Sequence, residues 1–256
     1  MRNDGRERAD PARWPVAGVS SPRAPYVAAM TWRTGLFAHW PIDPEALRPH
    51  VPDQLGLDTR DGTAWLSVLP FVLADTGLRG TPSIARLDIT ELNVRTYVEH
   101  RGDPALYFFS VDVDRPAVGE PIGRATRLPV YTARMSLEDR GDQIEFSSER
   151  RRSKTGDPSR FVASYRPDGD VSVPKTGSLA YWLTERRRFY APSGDGVMAG
   201  EIAHDPWPLQ PAEATIRENT MFAANGLPSP NGEPVVHYCD RLPIRGSIPR
   251  RLPDRE

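Results

Sequence analysis

Polar and apolar positions alternate without a break from residue 91 to residue 98. Glu91, Asn93, Arg95 and Tyr97 fall on one face of a strand, and Leu92, Val94, Thr96 and Val98 fall on the other. Val94, Thr96 and Val98 are β-branched, as a pleated strand favours. A second apolar stretch, residues 106–113, reads as the neighbouring strand. The first strand therefore lies deep in a sheet. Its row of carboxylate, amide, guanidinium and phenol faces an enclosed space rather than bulk water. Buried ionisable groups need partners. Glu91 and Arg95 suit one another in charge, but four residues along a strand is about 13 Å. They would meet through a ligand, a water or a neighbouring strand.

The same pattern predicts the other elements. Residues 30–40, with Trp32, Leu36, Phe37 and Trp40, form the first core strand. Asp43, Pro44 and Glu45 open a helix as cap, first helical residue and first-turn acid, and Pro49 and Pro52 keep it short. Asp61-Gly62 turns the chain into a strand over 63–71, followed by a loop over 74–87. Strands are predicted over 88–99, 105–113, 121–137 (bent at Pro129) and 143–152, with 114–119 as a connection. Residues 153–177 read as polar turns, and 177–190 as a helix with Leu179, Trp182, Leu183 and Arg186 on one face. Strands over 197–204, 208–217 and 235–245 complete the set. The 27 prolines disfavour long helices. The expected organisation is a disordered leader over 1–25, one antiparallel β-rich domain over 26–245 with a few short peripheral helices, and a disordered tail over 246–256.

Charge and composition narrow the chemistry. The net charge is −1, which gives no general attraction to nucleic acid or anionic membrane. The arginine runs 150–152 and 186–188 are mixed with Glu149 and Glu185 and read as solvated faces. Cys239 stands alone, which excludes an internal disulfide and suits a reducing cytoplasm. Neither a membrane-spanning apolar run of about 20 residues nor a signal-peptide core is present. His39, His50, His100, His204 and His237 lack the close spacing of a helical or ribbon metal motif, so no metal is expected, although a site assembled across strands stays open. His39 reads as a core histidine. His204, before Asp205-Pro206-Trp207, reads as core or as facing a pocket mouth. No nucleophile elbow or phosphate-cradling loop occurs. What remains is Glu91, Asn93 and Arg95, either a carboxylate-recognition and acid–base cluster or a structural ion pair.

Several segments together carry a family resemblance. They are Phe37-Ala-His-Trp-Pro41, residues 43–51, Asp61-Gly-Thr-Ala-Trp65, Glu91-Leu-Asn-Val-Arg-Thr-Tyr97, Phe108-Phe-Ser110, Leu128-Pro129, Leu183-Thr-Glu-Arg186 and His204-Asp-Pro-Trp-Pro-Leu209. Over roughly residues 30–245 the chain resembles the YqjF-like uncharacterised bacterial proteins, a branch of the acetoacetate decarboxylase-like superfamily. The resemblance implies a closed or nearly closed antiparallel β-barrel with a central cavity. The decarboxylases work through a lysine Schiff base, assisted by an arginine and glutamates. Their arginine falls on Arg33 here, and one glutamate falls near Glu91. In the run Gly123-Arg-Ala-Thr-Arg-Leu-Pro129-Val130, valine stands where the lysine belongs. The second glutamate falls around Ala64-Trp65 and is absent. An iminium needs a primary amine. Neither Val130 nor Arg127 supplies one, and Lys154 and Lys175 lie in turns outside the aligned site.

The expectation is an enzyme without metal or organic cofactor, of lyase, hydratase or isomerase type, acting on a small oxo- or hydroxy-carboxylate or a polyketide-like carbonyl compound. Glu91 is the expected general acid–base, with Arg33 and Arg95 binding the carboxylate or an enolate. Tyr97 and Tyr131 donate in an oxyanion role, Asn93 lines the site, and Trp65, Phe109 and Trp207 shape its apolar wall. The rival is a non-catalytic barrel that holds an anionic or lipid-like small molecule as sensor or carrier. A desolvated, accessible Glu91 favours the enzyme, and a Glu91 saturated by arginine favours a structural role. Neither nucleic acid nor membrane is an expected partner, and the resemblance is compatible with a homo-oligomer.

Overall fold

A computed structural model describes residues 25–126, 128–151, 156–194, 196–230 and 232–252. The predicted leader, up to residue 24, lies outside these. The strands are β1 (Tyr26–Ile42), β2 (Gly56–Leu57), β3 (Ala64–Leu78), β4 (Leu87–His100), β5 (Asp103–Val113), β6 (Val130–Thr132), β7 (Arg134–Asp139), β8 (Ile144–Arg150), β9 (Ser159–Pro167), β10 (Arg188–Ser193), β11 (Gly196–His204), β12 (Gln210–Asn219), β13 (Val235–Ser247) and β14 (Arg250–Arg251). Four short helices intervene: α1 (Pro44–Leu47), α2 (Pro116–Thr126), α3 (Leu179–Thr184) and α4 (Met221–Ala224).

The sheet runs β14-β11-β10-β5-β4-β3-β1-β13-β12-β9-β8-β7, and β11 also pairs with β13. That extra pairing, Ile202 with Gly246 through His204 with Ile244, bends seven strands into a nearly closed barrel. Strands β12, β9, β8 and β7 fold back over its outside, and the short β2, β6 and β14 add to β4, β5 and β11. Leu36, Ala38, Trp40, Leu66, Val68, Leu92 and Val94 point out of the barrel and pack against Ile144, Phe146, Phe161, Ala163 and Tyr165 of that outer layer. The opposite faces of β1, β3 and β4 line the barrel interior.

Several expectations hold locally. The Asp43 carboxylate accepts from Glu45 N at 2.9 Å and starts α1 with Pro44 in the first turn. The strand predicted over 88–99 is β4. Others need correction. The pairing of β10 with β5, and of β5 with β6, is parallel. The 74–87 loop is shorter, because β3 continues to Leu78. The strand over 121–137 is instead α2 followed by β6 and β7. Pro116 opens that helix, a position that tolerates proline, and Pro121 lies within it. The polar stretch 153–177 conceals β9, whose Phe161, Ala163 and Tyr165 are buried between exposed arginines. The helix over 177–190 is only α3, capped by Ser178, and β10 takes over at Arg188. The tail is ordered at least to Leu252, since β14 pairs with β11.

The arginine runs are solvated only in part: Arg151 is exposed and Arg152 lies outside the described residues, but the others are drawn into ion pairs. Arg186 is buried against Asp58 at 2.6 Å. Arg187 pairs with Glu185 at 3.0 Å, and Arg188 pairs with Asp103 and Glu201. Arg150 is buried with Asp112 at 3.3 Å. A buried guanidinium must find a carboxylate or a ring, and each of these does.

Candidate active site

Strand β4 carries the site. Its register with β3 is continuous from Leu66 opposite Thr96 to Leu73 opposite Ile89. Glu91, Asn93, Arg95 and Tyr97 therefore all point into the barrel, as their alternation predicts. The Asn93 amide donates to Glu91 Oε1 at 3.0 Å. Among the described residues no cation lies within ion-pair distance of Glu91. Burial pushes its carboxyl up to about 7, against the Asn93 hydrogen bond and the more distant Arg95, and the Asp112 charge adds to the rise. Glu91 is nevertheless half-buried, not sealed. So are the inward-facing Leu73, Phe108 and Val130 around it. Val130 lies beside Val111, which pairs with Asn93.

Arg95 is buried and opposite Ser67. Its guanidinium stands 5.9 Å from the centre of the Phe37 ring. The Tyr97 oxygen acts on it electrostatically, yet its Nε has no partner and no carboxylate is within ion-pair distance among the described residues. The Tyr97 oxygen also meets Ser67 Oγ at 2.8 Å and His39 Nδ1 at 3.0 Å, and Ser67 Oγ meets the same His39 Nδ1 at 2.8 Å. Trp182 packs on the Tyr97 ring at 4.7 Å, with the Arg186 guanidinium 5.3 Å from the ring centre. His237 faces His39 with ring centres 6.2 Å apart. Burial keeps both imidazoles below their ordinary pKa, and each charges the interior little at neutral pH.

The walls are aromatic. Trp65 packs with Tyr97, Leu106, Leu183 and Phe189. Trp207 meets Trp32 at 5.0 Å and Phe37 at 4.9 Å, both edge-on. Its segment is held by Glu185, which accepts from Trp207 N at 2.8 Å and pairs with Arg187. His204 is buried beside Trp207, its Nδ1 against the Asp205 carbonyl, and burial with the Arg187 charge lowers its pKa to about 3.

Three expected site residues lie elsewhere, each for a backbone reason. Arg33 is exposed on the outside of the barrel. Counting back from Phe37 and His39 by twos would turn it inward. Thr34 adopts φ 52°, and the β1–β3 register shifts between Arg33 and Ala38, so Trp32 takes the inward position instead. Phe109 is expelled in the same way. The β4–β5 register passes from Val94 opposite Ser110 to Arg95 opposite Phe108. Phe108 faces Glu91's side, while Phe109 packs edge-on to Tyr107 outside. Tyr131 follows Val130 and so takes the opposite face, where Arg150 stands 4.3 Å from its ring centre. Lys175 is exposed, and Lys154 and Arg127 lie outside the described residues.

His39, Ser67, His237 and Phe108 are the interior residues that sequence reading missed as site members. The alternation Phe37-x-His39 signals the first. Ser67 carries no signal of its own, because its role comes from lying between β1 and β4. The interior also holds buried polar atoms without partners: His39 Nε2, Trp65 Nε1, Asn93 Oδ1, Arg95 Nε, His204 Nε2, Trp207 Nε1 and His237 Nδ1. Buried polar atoms are normally satisfied, and this concentration suits a polar small molecule. Among the described residues no three His, Cys, Asp or Glu side chains converge as a metal-ligand set, and no helix is long and apolar enough to cross a membrane.

The family model DUF2071, described as "Uncharacterized conserved protein (COG2071)", matches residues 29–243. The Bacillus subtilis (strain 168) protein described as "Uncharacterized protein YqjF" is 42% identical over 237 residues, 91% of this chain and 95% of that one. Among solved structures, the enduracididine biosynthesis enzyme MppR complexed with pyruvate is similar with a TM-score of 0.62 and 14% identity, over 93% of this chain and 94% of that one. Acetoacetate decarboxylase from Legionella pneumophila is similar with a TM-score of 0.58 and 14% identity, over 97% of this chain and 94% of that one. At such identities the likeness is one of fold, and it is the fold expected from the sequence.

Proposed function

The chain belongs to the DUF2071 family of uncharacterized conserved proteins, and from that premise we propose that it is a cofactor-independent enzyme that enolises a small oxo- or hydroxy-carboxylate, or a similar carbonyl compound. One observation carries the proposal. Glu91 is a half-buried carboxyl raised to about 7, with only the Asn93 amide and the more distant Arg95 charge to favour its ionised form and no cation within ion-pair distance among the described residues. A structural carboxylate this deep would be paired. A carboxyl poised near neutrality and half-buried among Leu73, Phe108 and Val130 is suited to take and return a proton.

Glu91 removes the proton α to the carbonyl. The charge that develops on oxygen is met by the Arg95 guanidinium and the Tyr97 hydroxyl, and preorganised donors of this kind stabilise enolates strongly in a dry site. Return of the proton to a neighbouring carbon gives an isomerase. Loss of a β-substituent gives a lyase or dehydratase, and water addition gives the reverse. Asn93 holds the Glu91 oxygen in place. Trp65, Phe108 and Trp207 exclude water. Among the described residues no lysine faces the interior, where Val130 stands beside Val111 and Lys175 is exposed, so Schiff-base chemistry forms no part of the proposal. That MppR has been solved with pyruvate supports a small oxo acid as the first substrate to try. Cys239 is buried, and that burial pushes its thiol up to about 12, so it offers no thiolate nucleophile at neutral pH.

The lack of an interior lysine among the described residues favours a second reading, a carrier or sensor that only binds. Deuterium exchange separates the two. 2-Oxobutanoate and related oxo acids are incubated in D2O with the wild type and with Glu91→Gln, and the α-protons are followed by NMR. The enzyme reading expects exchange that Glu91→Gln abolishes. Tight binding with no exchange across the panel, seen as a thermal shift of about 2.7 kcal/mol at 100 times the dissociation constant, would establish the carrier instead.

A further inference from the structure

We infer that the free edge of β7 is a self-pairing surface: a second copy of this chain adds its own β7 antiparallel to the first, about a two-fold axis at Ser136, and joins the two outer layers into one sheet. The inference stands apart from the reaction proposed above.

β7 ends the strand order, and among the described residues it pairs with β8 alone. Its other edge leaves alternate N–H and C=O groups with no strand to receive them, a template for one more strand. Folded proteins block such edges with a proline, a bulge or a charge pointing into the layer. Over Arg134-Met-Ser-Leu-Glu138 none of these occurs. The strand pairs with β8 residue for residue, from Arg134 opposite Glu149 to Asp139 opposite Ile144, with no register shift and no positive φ. Asp139 is turned to the hairpin, where its carboxylate accepts from Gly141 N at 2.8 Å.

The side chains sort by face. Met135 and Leu137 pack on the core between the layers yet stay only partly buried. Arg134, Ser136 and Glu138 are exposed. A partner strand must present the same two faces, because a slip of one residue would set its charges over the apolar row. Two identical antiparallel strands meet that condition only in registers centred on a residue, and charge selects among them. Centred on Arg134 or on Glu138, the pair sets like charge on like charge. Centred on Leu137, Arg134 meets Arg140. Centred on Met135, Arg134 meets Ser136 and Glu138 meets Thr132. Centred on Ser136, Arg134 meets Glu138 twice and Met135 meets Leu137 twice. Opposite charges directly across a ladder stabilise it and like charges destabilise it. The strand is thus complementary to itself in one register, as a two-fold contact requires.

Both charges are available for the pairing. Arg134 lies in no ion pair among the described residues, and Glu149 across the ladder is engaged by Arg151 at 3.7 Å. Glu138 meets Arg140 at 3.0 Å, but that pair is exposed and contributes little. A carboxylate has room for a second guanidinium. The contact is small, so the dimer is reversible.

The test is sedimentation velocity of the whole chain from about 1 to about 200 μM, the range of a small reversible contact. The wild type should pass from monomer to dimer. Glu138→Arg and Arg134→Glu should each raise the dissociation constant about tenfold or more, because two attractive pairs become two repulsive ones. Mixing these two variants should restore the dimer, since each carries the charges the other lacks. Both changes in one chain should restore it as well. Ser136→Cys, on the axis, should link to itself on oxidation and Glu138→Cys should not, with Cys239 buried and silent. A wild type that stays monomeric throughout overturns the inference, and so does a dimer that none of the charge variants alters. A dimer lost in the single variants and not restored by mixing or by the double change refutes the register and the inference with it. Ser136→Cys that links in cells to a different protein and never to itself gives the edge to another partner, and that result also overturns it.

Discussion

Asn93 and Glu91, two residues apart on one face of β4, share a hydrogen bond of 3.0 Å that no cation among the described residues reinforces. The carboxyl stays near 7 because burial outweighs what the Asn93 amide and the more distant Arg95 return. Proton abstraction needs the ionised form. Exchange of 2-oxobutanoate protons should therefore rise about tenfold per pH unit on the acid side and level off above about pH 7. A rate already flat from pH 5 would assign the base to another group.

The same burial makes Glu91 a stability liability at neutral pH. Its folded pKa of about 7 lies above the ordinary 4.5, so the folded chain binds the proton more tightly than the unfolded chain. The resulting stabilisation is complete below about 4.5 and is lost as pH rises through about 7. Glu91→Gln should gain on the wild type across that window, reaching on the order of 2 kcal/mol after allowance for the water that still reaches the carboxyl. Asp112 shifts in the same sense, from 3.8 to about 7. His39 and His204, with lowered values, act in the opposite sense. All three stay in both proteins, so urea melts at pH 4.5, 6 and 8 report on Glu91 together with its coupling to Asp112. A constant difference would show that the carboxyl is solvated in the folded state.

Arg95 should trade stability against binding. It is a buried cation without a carboxylate among the described residues, and replacing such a charge with a well-packed apolar chain is often neutral or favourable. Arg95→Met should hold or raise the melting temperature while weakening oxo-acid binding by about 1.5–3 kcal/mol, the worth of a charged hydrogen bond. Arg33→Ala is the control. Being exposed, it should change stability by less than about 0.5 kcal/mol and leave binding intact. Equal losses of binding in both variants would point to general electrostatics rather than a site.

Phe108 and Phe109 should separate cleanly. Phe109→Ala should cost less than the about 3–5 kcal/mol of a fully buried phenylalanine, with no change in affinity. Phe108→Ala opens the wall beside Glu91 and should weaken binding of 2-oxobutanoate measured by calorimetry. The reverse result would mean that the register shift at Arg95 is absent in solution.

Much was legible along the chain because it depends on neighbours in sequence. The α1 cap, the turn at Asp61-Gly62 and the strict alternation of β4 all follow from local stereochemistry. β9 was not, since three buried residues between arginines resemble a polar connection until a second layer covers them. α2 was hidden by Pro116 and Pro121, which read as breakers.

The row Glu91, Asn93, Arg95 and Tyr97 was determined by sequence alone, because a strand's side chains alternate with a period of two whatever it pairs with. Which residues join that row was decided by the tertiary structure. One extra residue at Thr34 and another at Phe109 reverse the parity of the strand beyond them, and they send Arg33 and Phe109 outward and Trp32 and Phe108 inward. His39 and Ser67 enter only because β1, β3 and β4 align them with Arg95. Parity along one strand is a local property of the backbone, but a bulge exists only relative to the partner strand it interrupts.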